Sequence, residues 1–137
     1  MKRKKTAALF VTAAILAGIM AVWYFTPKQF LGRVEASAIW SILVFDGNTG
    51  TEFVIDDSEE IKRIVENIQG MDMKRDGLCV GYSGYGLKME FQGEDGKRVD
   101  GFMINSPDMI REEPFFYRCN GGLCFDYLKE LEGRSVN

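Results

Sequence analysis

An uncharged run of 20 residues near the start of the chain limits its possible structures more than any other feature. Thr6–Phe25 contains no charged side chain, and the basic stretch Lys2–Lys5 comes directly before it. At about 1.5 Å per residue, a helix over this run is about 30 Å long, which matches the hydrocarbon core of a bilayer. Because a helix satisfies its backbone polar groups internally, it is stable in lipid. The sequence therefore predicts a basic tail at residues 1–5 and a transmembrane helix at residues 6–25.

The features around this run favour an anchor over a cleaved signal peptide. A signal peptide has a shorter apolar stretch, about 7 to 15 residues, with a site of small residues soon after it. The one site of that kind, Ala36–Ala38, lies well beyond the run. Trp23 and Tyr24 stand at its far end, where amphipathic rings favour the headgroup level, and Pro27 then stops the helix. We therefore expect an uncleaved signal-anchor.

The distribution of charge predicts the orientation of this anchor. Four basic residues precede the run, and only Lys28 and Arg33 follow it closely. Basic residues stay on the cytoplasmic side, so the N-terminus is expected there, with the C-terminal part outside the cell membrane as a single-pass protein. Residues 26–37 are expected to form a linker and residues 38–137 an extracytoplasmic domain. A linker of that length spans at most about 40 Å, so the domain is expected close to the membrane.

The exported part is strongly acidic. All 20 acidic residues follow Arg33, whereas six of the 17 basic residues lie at or before it, so residues 34–137 carry a net charge of −9. Phosphate polymers repel a surface of this sign. Nucleic acid is therefore excluded as an expected partner.

The first half of the domain predicts a hairpin followed by a helix. Strand-forming residues fill Ala38–Phe45 and Thr51–Ile55, and the turn-forming segment Asp46–Gly50 separates them. Asp57 is the expected N-cap of the helix, and Glu60 three residues later completes a capping box. The helix has one apolar stripe and ends at Gly70. The stripe consists of Ile61, Ile64, Val65 and Ile68.

The second half predicts three more strands and a closing helix. Tyr85–Phe91 alternates apolar and polar residues, Arg98–Ile104 follows a Gly-containing turn, and Phe115–Arg118 is a third, short strand. The stretch from Pro107 to Pro114 is expected to be irregular, and a short C-terminal helix carries Phe125, Leu128 and Leu131. The order β-β-α-β-β-β-α predicts an α+β fold, in which one mainly antiparallel sheet packs against the amphipathic helix and the short C-terminal helix.

This arrangement resembles a loose group of small exported proteins of Gram-positive bacteria that have an N-terminal anchor and no established activity. The resemblance covers Ile39 to Leu131, and its motifs are Ser58–Ile64 and Tyr85–Lys97. These motifs are structural rather than catalytic. The resemblance implies an extracytoplasmic domain and supplies no functional residue.

The amino acids that are missing restrict the chemistry. The chain has no histidine, which excludes Ser-His-Asp and Cys-His catalytic groups and imidazole zinc sites. It has no glycine-rich phosphate loop. The carboxylate pairs Asp56–Asp57, Glu59–Glu60 and Glu112–Glu113 are adjacent in sequence, so their side chains diverge. We expect no catalytic residue and no cofactor, with a cell-envelope hydrolase based on paired carboxylates as the alternative.

The acidic turn after the first strand has a weak similarity to a calcium loop. Asp46, Asn48 and Glu52 have suitable spacing, but Gly50 offers no side-chain oxygen and Thr51 occupies the position of the required glycine. A hairpin turn explains the same residues. No metal site is therefore expected.

Three cysteines leave two possibilities open. Cys119 and Cys124 flank a four-residue reversal, whose ends can lie within disulfide distance. In that case Cys79 is left over; otherwise all three residues are free thiols.

A glycine-rich segment, Gly81–Gly86, suggests a binding surface. Its glycines allow close approach of a partner, and tyrosines are frequent at interfaces because they combine a large ring with a polar tip. Tyr82, Tyr85 and Tyr117 are the candidate binding residues. The predicted function is a membrane-tethered, non-enzymatic domain that binds a protein or small ligand outside the membrane.

Overall fold

A computed structural model describes all 137 residues. The chain is an α+β protein with one antiparallel sheet and three α-helices, as the sequence predicts. The first helix is α1 (Lys2–Phe25), and a short 3-10 helix (Ala36–Ala38) precedes the sheet. The elements of the domain are β1 (Ser41–Asp46), β2 (Glu52–Ile55), α2 (Ser58–Gln69), β3 (Lys74–Leu78), β4 (Leu87–Gln92), β5 (Arg98–Ser106), β6 (Met109–Glu112), β7 (Phe115–Arg118) and α3 (Phe125–Val136).

Helix α1 stands apart from the packed domain along most of its length. It has 24 residues, none of them buried, and it is long and apolar enough to cross a membrane. A signal sequence near an N-terminus meets the same criteria. The helix includes the basic tail, so it begins four residues earlier than the predicted span.

The sheet has seven strands in the order β2-β1-β4-β5-β6-β7-β3. Every neighbouring pair is antiparallel, and most of these pairs follow one another along the chain. The exceptions are β4, which lies beside β1, and β3, which pairs with β7 at one edge of the sheet. The edge strands β2 and β3 are therefore at opposite ends of the sheet.

One face of this sheet forms the core with α2 and α3. The register places the buried residues of neighbouring strands opposite each other, for example Val44 opposite Met89 and Ile104 opposite Ile110. The predicted stripe of α2 is buried against them, and each such side chain contributes about 1.5–3 kcal/mol by its removal from water. The other face of the sheet carries exposed side chains such as Phe45 and Val54.

The N-cap of α2 is as predicted, but the capping box is only half formed. Asp57 Oδ1 accepts hydrogen bonds of 3.0 Å from the backbone N–H groups of Glu59 and Glu60. The Glu60 carboxylate does not return to Asp57; it accepts a hydrogen bond of 3.4 Å from Arg134 on α3. A contact between the two helices replaces the local bond.

Two strands, β3 and β6, were not predicted. Strand β3 has the sequence Lys74–Leu78, which lacks alternating apolar residues because it is an edge strand with no buried side chain. Strand β6 lies in the stretch from Pro107 to Pro114 that was expected to be irregular. Neither proline falls inside it, and Ile110 is its one buried residue. Strand β3 forms through pairing with the distant strand β7, whereas β6 forms hairpins with its sequence neighbours β5 and β7.

The segment at residues 26–37, expected to be a linker, packs with the domain. Lys28 pairs with Met73, with backbone hydrogen bonds of 2.8 and 3.0 Å, and Phe30 and Leu31 are buried in the core. The side-chain amide of Gln69 also donates a hydrogen bond of 2.7 Å to the carbonyl of Leu31. The packed domain therefore begins about ten residues earlier than the predicted boundary at residue 38.

Candidate functional site

The end of α1 is fixed to the domain by Arg75 on β3. One guanidinium nitrogen of Arg75, Nη1, donates hydrogen bonds to the carbonyl oxygens of Trp23 (2.9 Å) and Thr26 (3.2 Å). These carbonyls lie in the last turn and cap of the helix, where they have no partner within the helix. The guanidinium also lies 4.0 Å from the centre of the Trp23 ring, a cation–π contact. Helix α1 therefore leaves the domain at a defined position.

Aromatic packing and an ion pair strengthen the same junction. The Phe115 ring on β7 contacts the rings of Trp23 and Tyr24, each with a centroid separation of 5.8 Å. Lys28, just after the helix, pairs with Glu112 on β6, and both side chains are only partly exposed. Three strands of the sheet thus contact the chain between Trp23 and Lys28.

The main concave feature of the domain is a groove of about 1010 Å³ beside α2. One wall is the segment 32–40 with its short 3-10 helix, and the other is the outer face of α2 from Ser58 to Gln69. The floor contains the buried side chains Ile39 and Ile61, and Trp40 lies on the rim with 53% of its surface exposed. The groove thus combines an apolar floor with an accessible indole ring.

The charges along the groove are predominantly acidic. Arg33 and Lys62 are the basic residues that line it, and four acidic residues outnumber them. The acidic residues are Glu35, Asp56, Glu59 and Glu66. The positive end of α2 is already occupied by the Asp57 carboxylate, so it offers little attraction to an anion. The groove is therefore better suited to a cationic ligand than to an anionic one.

The structure separates the three tyrosines that were the predicted binding residues. Tyr117 is buried on the core face of β7, where its ring meets Phe30 at a centroid distance of 5.0 Å. Tyr82 and Tyr85 are exposed in the segment between β3 and β4. Tyr82 and Tyr85 do not form one surface with Tyr117. Tyr82 packs on Phe116, and Phe116 and Tyr117 lie on opposite sides of the sheet because successive side chains in a strand point to opposite faces.

The glycine-rich segment Gly81–Gly86 lies across one end of the uncovered face of the sheet. The Tyr82 ring packs against Phe116 at 5.0 Å, and the guanidinium of Arg111 lies 5.2 Å from the Tyr82 ring centre. Arg111 also donates a hydrogen bond of 3.1 Å to the carbonyl of Gly84. The segment is therefore attached to the sheet by these contacts, and Tyr85 remains the more exposed ring.

Two buried carboxylates meet at the turn that was compared with a calcium loop. Lys129 on α3 bonds to Asp46 and, at 2.5 Å, to Glu132, while Thr49 donates a hydrogen bond of 2.6 Å to Glu132. Burial by itself would raise the pKa of Asp46, but the hydrogen bonds from Lys129 and from the Asn48 backbone lower it. The Asp46 carboxylate is thus ionised and engaged with a lysine. Asp46 therefore lacks the raised pKa that a general acid in glycoside hydrolysis needs.

The three cysteines are free thiols in the structure. Cys79 and Cys124 are buried and Cys119 is half-buried. Burial raises the pKa of Cys124 to about 12, and burial together with the charge of Glu113 raises the pKa of Cys79. The structure has no bond between Cys119 and Cys124, and this disulfide stays a prediction for oxidising conditions.

Arg75 at the junction and Trp40 at the groove were not predicted from the sequence to be functional residues. Arg75 lies in a polar stretch with no motif, and Trp40 was assigned to the predicted first strand because of its high strand propensity. In the structure Trp40 lies just before β1. The polar residue Ser41 directly after it is the one sign of exposure that the sequence offers. Comparisons with protein-family models, with curated proteins and with solved structures find no match to this chain. Function must therefore be inferred from these surfaces alone.

Proposed function

We propose that this protein is a membrane-tethered binding domain that acts outside the cell membrane and holds a basic segment of a partner protein in the groove beside α2. In this proposal α1 stays in the bilayer with Lys2–Lys5 in the cytoplasm. The domain binds rather than catalyses. The single observation that carries the proposal is the groove with Trp40 on its rim, placed directly after the anchor junction.

The packing of residues 26–37 supports a permanent tether. Cleavage at Ala36–Ala38 would remove Phe30 and Leu31, both of which are buried in the core. Burial of each contributes about 1.5–3 kcal/mol, which is a large part of the stability of a domain this size. The contacts of Arg75 with the end of α1 would also be lost. An intact N-terminal segment is therefore needed for the stability of the domain.

The position of the groove supports a role close to the membrane. Its first basic residue, Arg33, is eight residues beyond Phe25, so the two are at most about 28 Å apart. Its volume of about 1010 Å³ lies at the upper end of the range for ligand-binding clefts. An exposed tryptophan at such a site provides both apolar area and a face for a cation. Lysine or arginine side chains of a partner fit this chemistry.

The test of the tether uses intact cells that express the full chain. We expect the protein to remain in the membrane after alkaline carbonate extraction and to retain residues 1–33 by mass spectrometry. External protease is expected to remove the domain, because it is outside. A soluble product that begins at Ile39, or full protection of the domain, would contradict the proposal.

The test of binding uses the full chain in phosphatidylcholine nanodiscs with Trp23→Phe, so that Trp40 is the single tryptophan and is excited selectively. Tetralysine is the probe, and tetraglutamate is its control. We expect tetralysine to shift Trp40 emission in a saturable manner, and Glu59→Lys to weaken this binding about tenfold by repulsion. Glu52→Lys makes the same change of charge on the uncovered face of the sheet, and we expect it to leave binding within about twofold.

Equal effects of Glu59→Lys and Glu52→Lys would show that only the net charge of the domain attracts the probe, and this result would reject the groove as the site. If Glu59→Lys alone weakens binding, a partner of the native protein can be sought by photo-crosslinking from position 62 in the groove.

The alternative, a cell-envelope hydrolase with paired carboxylates, has less support. It needs two acids in one cleft, one of them with a raised pKa. Asp46 and Glu132 come together, but the pKa of Asp46 is lowered and both carboxylates bond to Lys129. We therefore assign this cluster a structural role.

A further inference from the structure

Strand β3 runs alongside the end of the anchor helix and back toward the membrane. It starts next to Met73, which pairs with Lys28 beyond the helix, and its second residue, Arg75, bonds to carbonyls in the last turn. Its last residue, Leu78, lies opposite Phe115, whose ring contacts Trp23 and Tyr24. Strand β3 thus lies beside the last turn of α1, and its final residue is joined to Trp23 and Tyr24 through Phe115.

The tip of this strand exposes large apolar side chains. Leu78 is 68% exposed and Val80 is 71% exposed, whereas Cys79 between them is buried. Val80 lies just beyond the strand, in a turn closed by a hydrogen bond of 3.0 Å from the Tyr82 N–H to the carbonyl of Cys79. No residue from Gly77 to Leu87 carries a charge. Two exposed aliphatic side chains in an uncharged segment are costly in water but suited to the boundary between headgroups and acyl chains.

We infer that Leu78 and Val80 form a second membrane contact, which inserts into the leaflet from which α1 emerges. This inference rests on the tether in the proposed function. The occupant of the patch is lipid rather than a protein, because the patch continues the aromatic surface of Trp23, Tyr24 and Phe115 at the end of the anchor. A second contact restricts the tilt of the domain relative to the plane of the membrane, which a single helix leaves free.

The experiment places single tryptophans in the full chain and measures quenching by lipids brominated near the headgroup end of their acyl chains. Val80→Trp is made in a background with Trp23→Phe and Trp40→Phe. Val54→Trp in the same background is the matched control, because Val54 is an exposed valine on β2 at the opposite edge of the sheet. A Trp40→Phe variant keeps Trp23 as a reporter of the anchor itself.

We expect tryptophan at position 80 to show blue-shifted emission and about half or more of the quenching of Trp23, because both are at the interface. Tryptophan at position 54 is expected to show little quenching. Leu78→Trp provides a second reporter if Val80→Trp changes the circular dichroism of the protein.

The two proposals fail in different ways. If Trp23 is quenched but tryptophans at positions 78 and 80 behave like the one at position 54, the second contact is rejected and the tether stands. If Trp23 is not quenched either, the anchor is not in the bilayer and both proposals are rejected.

Discussion

Lys129 on α3 forms an ion pair with Asp46 at the end of β1, and this contact joins residues 83 positions apart. Asp46 has no exposed surface, and Lys129 is about one-third exposed. The same lysine bonds to Glu132 within its own helix. The pair fastens α3 to the β1–β2 turn and gives a buried carboxylate its counter-charge.

Removal of this counter-charge is expected to destabilise the domain. Lys129→Met leaves Asp46 buried and uncompensated, and we expect a loss of about 2 kcal/mol. This is below the cost for a fully buried pair because solvent screens the partly exposed lysine. Urea unfolding of the full chain in nanodiscs measures the change. Lys97→Met, which removes a lysine from an exposed pair with Asp95, is the control and should cost less than about 0.5 kcal/mol.

The same cluster predicts how stability depends on pH. The pKa of Asp46 is lowered from 3.8, so its ionised form stabilises the fold above that pH and the contribution is lost as pH falls below it. The pKa of Lys129 is raised from 10.5 by its hydrogen bond with Asp46 and then by that with Glu132, so its contribution is present below pH 10.5 and is lost above it. Asp46→Asn should reduce the dependence of the free energy of unfolding on pH in the acid limb of a stability–pH curve. An unchanged acid limb would contradict this role.

Arg75→Met is expected to loosen the junction between α1 and the domain. The variant loses the hydrogen bonds to the carbonyls of Trp23 and Thr26 while the stem of the side chain is retained. Local opening becomes easier, so the amide of Lys28, which bonds to Met73, should exchange with solvent about tenfold faster. Hydrogen exchange with mass spectrometry measures this rate. Lys74→Met, on the neighbouring exposed residue, should leave the rate unchanged.

The cysteines should differ sharply in their reactivity. In reducing buffer, iodoacetamide at pH 8 should modify Cys119 and leave Cys79 and Cys124 intact, because both are buried and have raised pKa values. All three should react after unfolding in urea. Mass spectrometry counts the modified thiols. Only one reactive thiol after unfolding without reductant would instead support the predicted Cys119–Cys124 disulfide.

The N-cap of α2 provides a test of a feature predicted from sequence. Asp57→Ala removes the acceptor for two backbone N–H groups and should cost about 1 kcal/mol in urea unfolding. Asp56→Ala, one residue earlier, makes no cap bond and should cost much less. Equal losses would indicate that both residues act through charge alone.

The sequence determined the features that depend on neighbouring residues. The length and apolarity of Thr6–Phe25 are sufficient for a membrane-length helix, and the spacing of Ile61, Ile64 and Ile68 after the Asp57 cap is sufficient for α2. The α+β class followed from the order of these elements. Both helices depend on interactions between residues at most four positions apart, which the sequence shows directly.

Only the tertiary structure decided which distant residues meet. Strand β3 exists because it pairs with β7, and Arg75 bonds to carbonyls about 50 residues earlier. The pleat of β7 turns Tyr117 into the core, and the packing of α2 beside residues 32–40 creates the groove at Trp40. These relationships depend on the path of the whole chain, because a contact between distant segments forms only when the core brings them together.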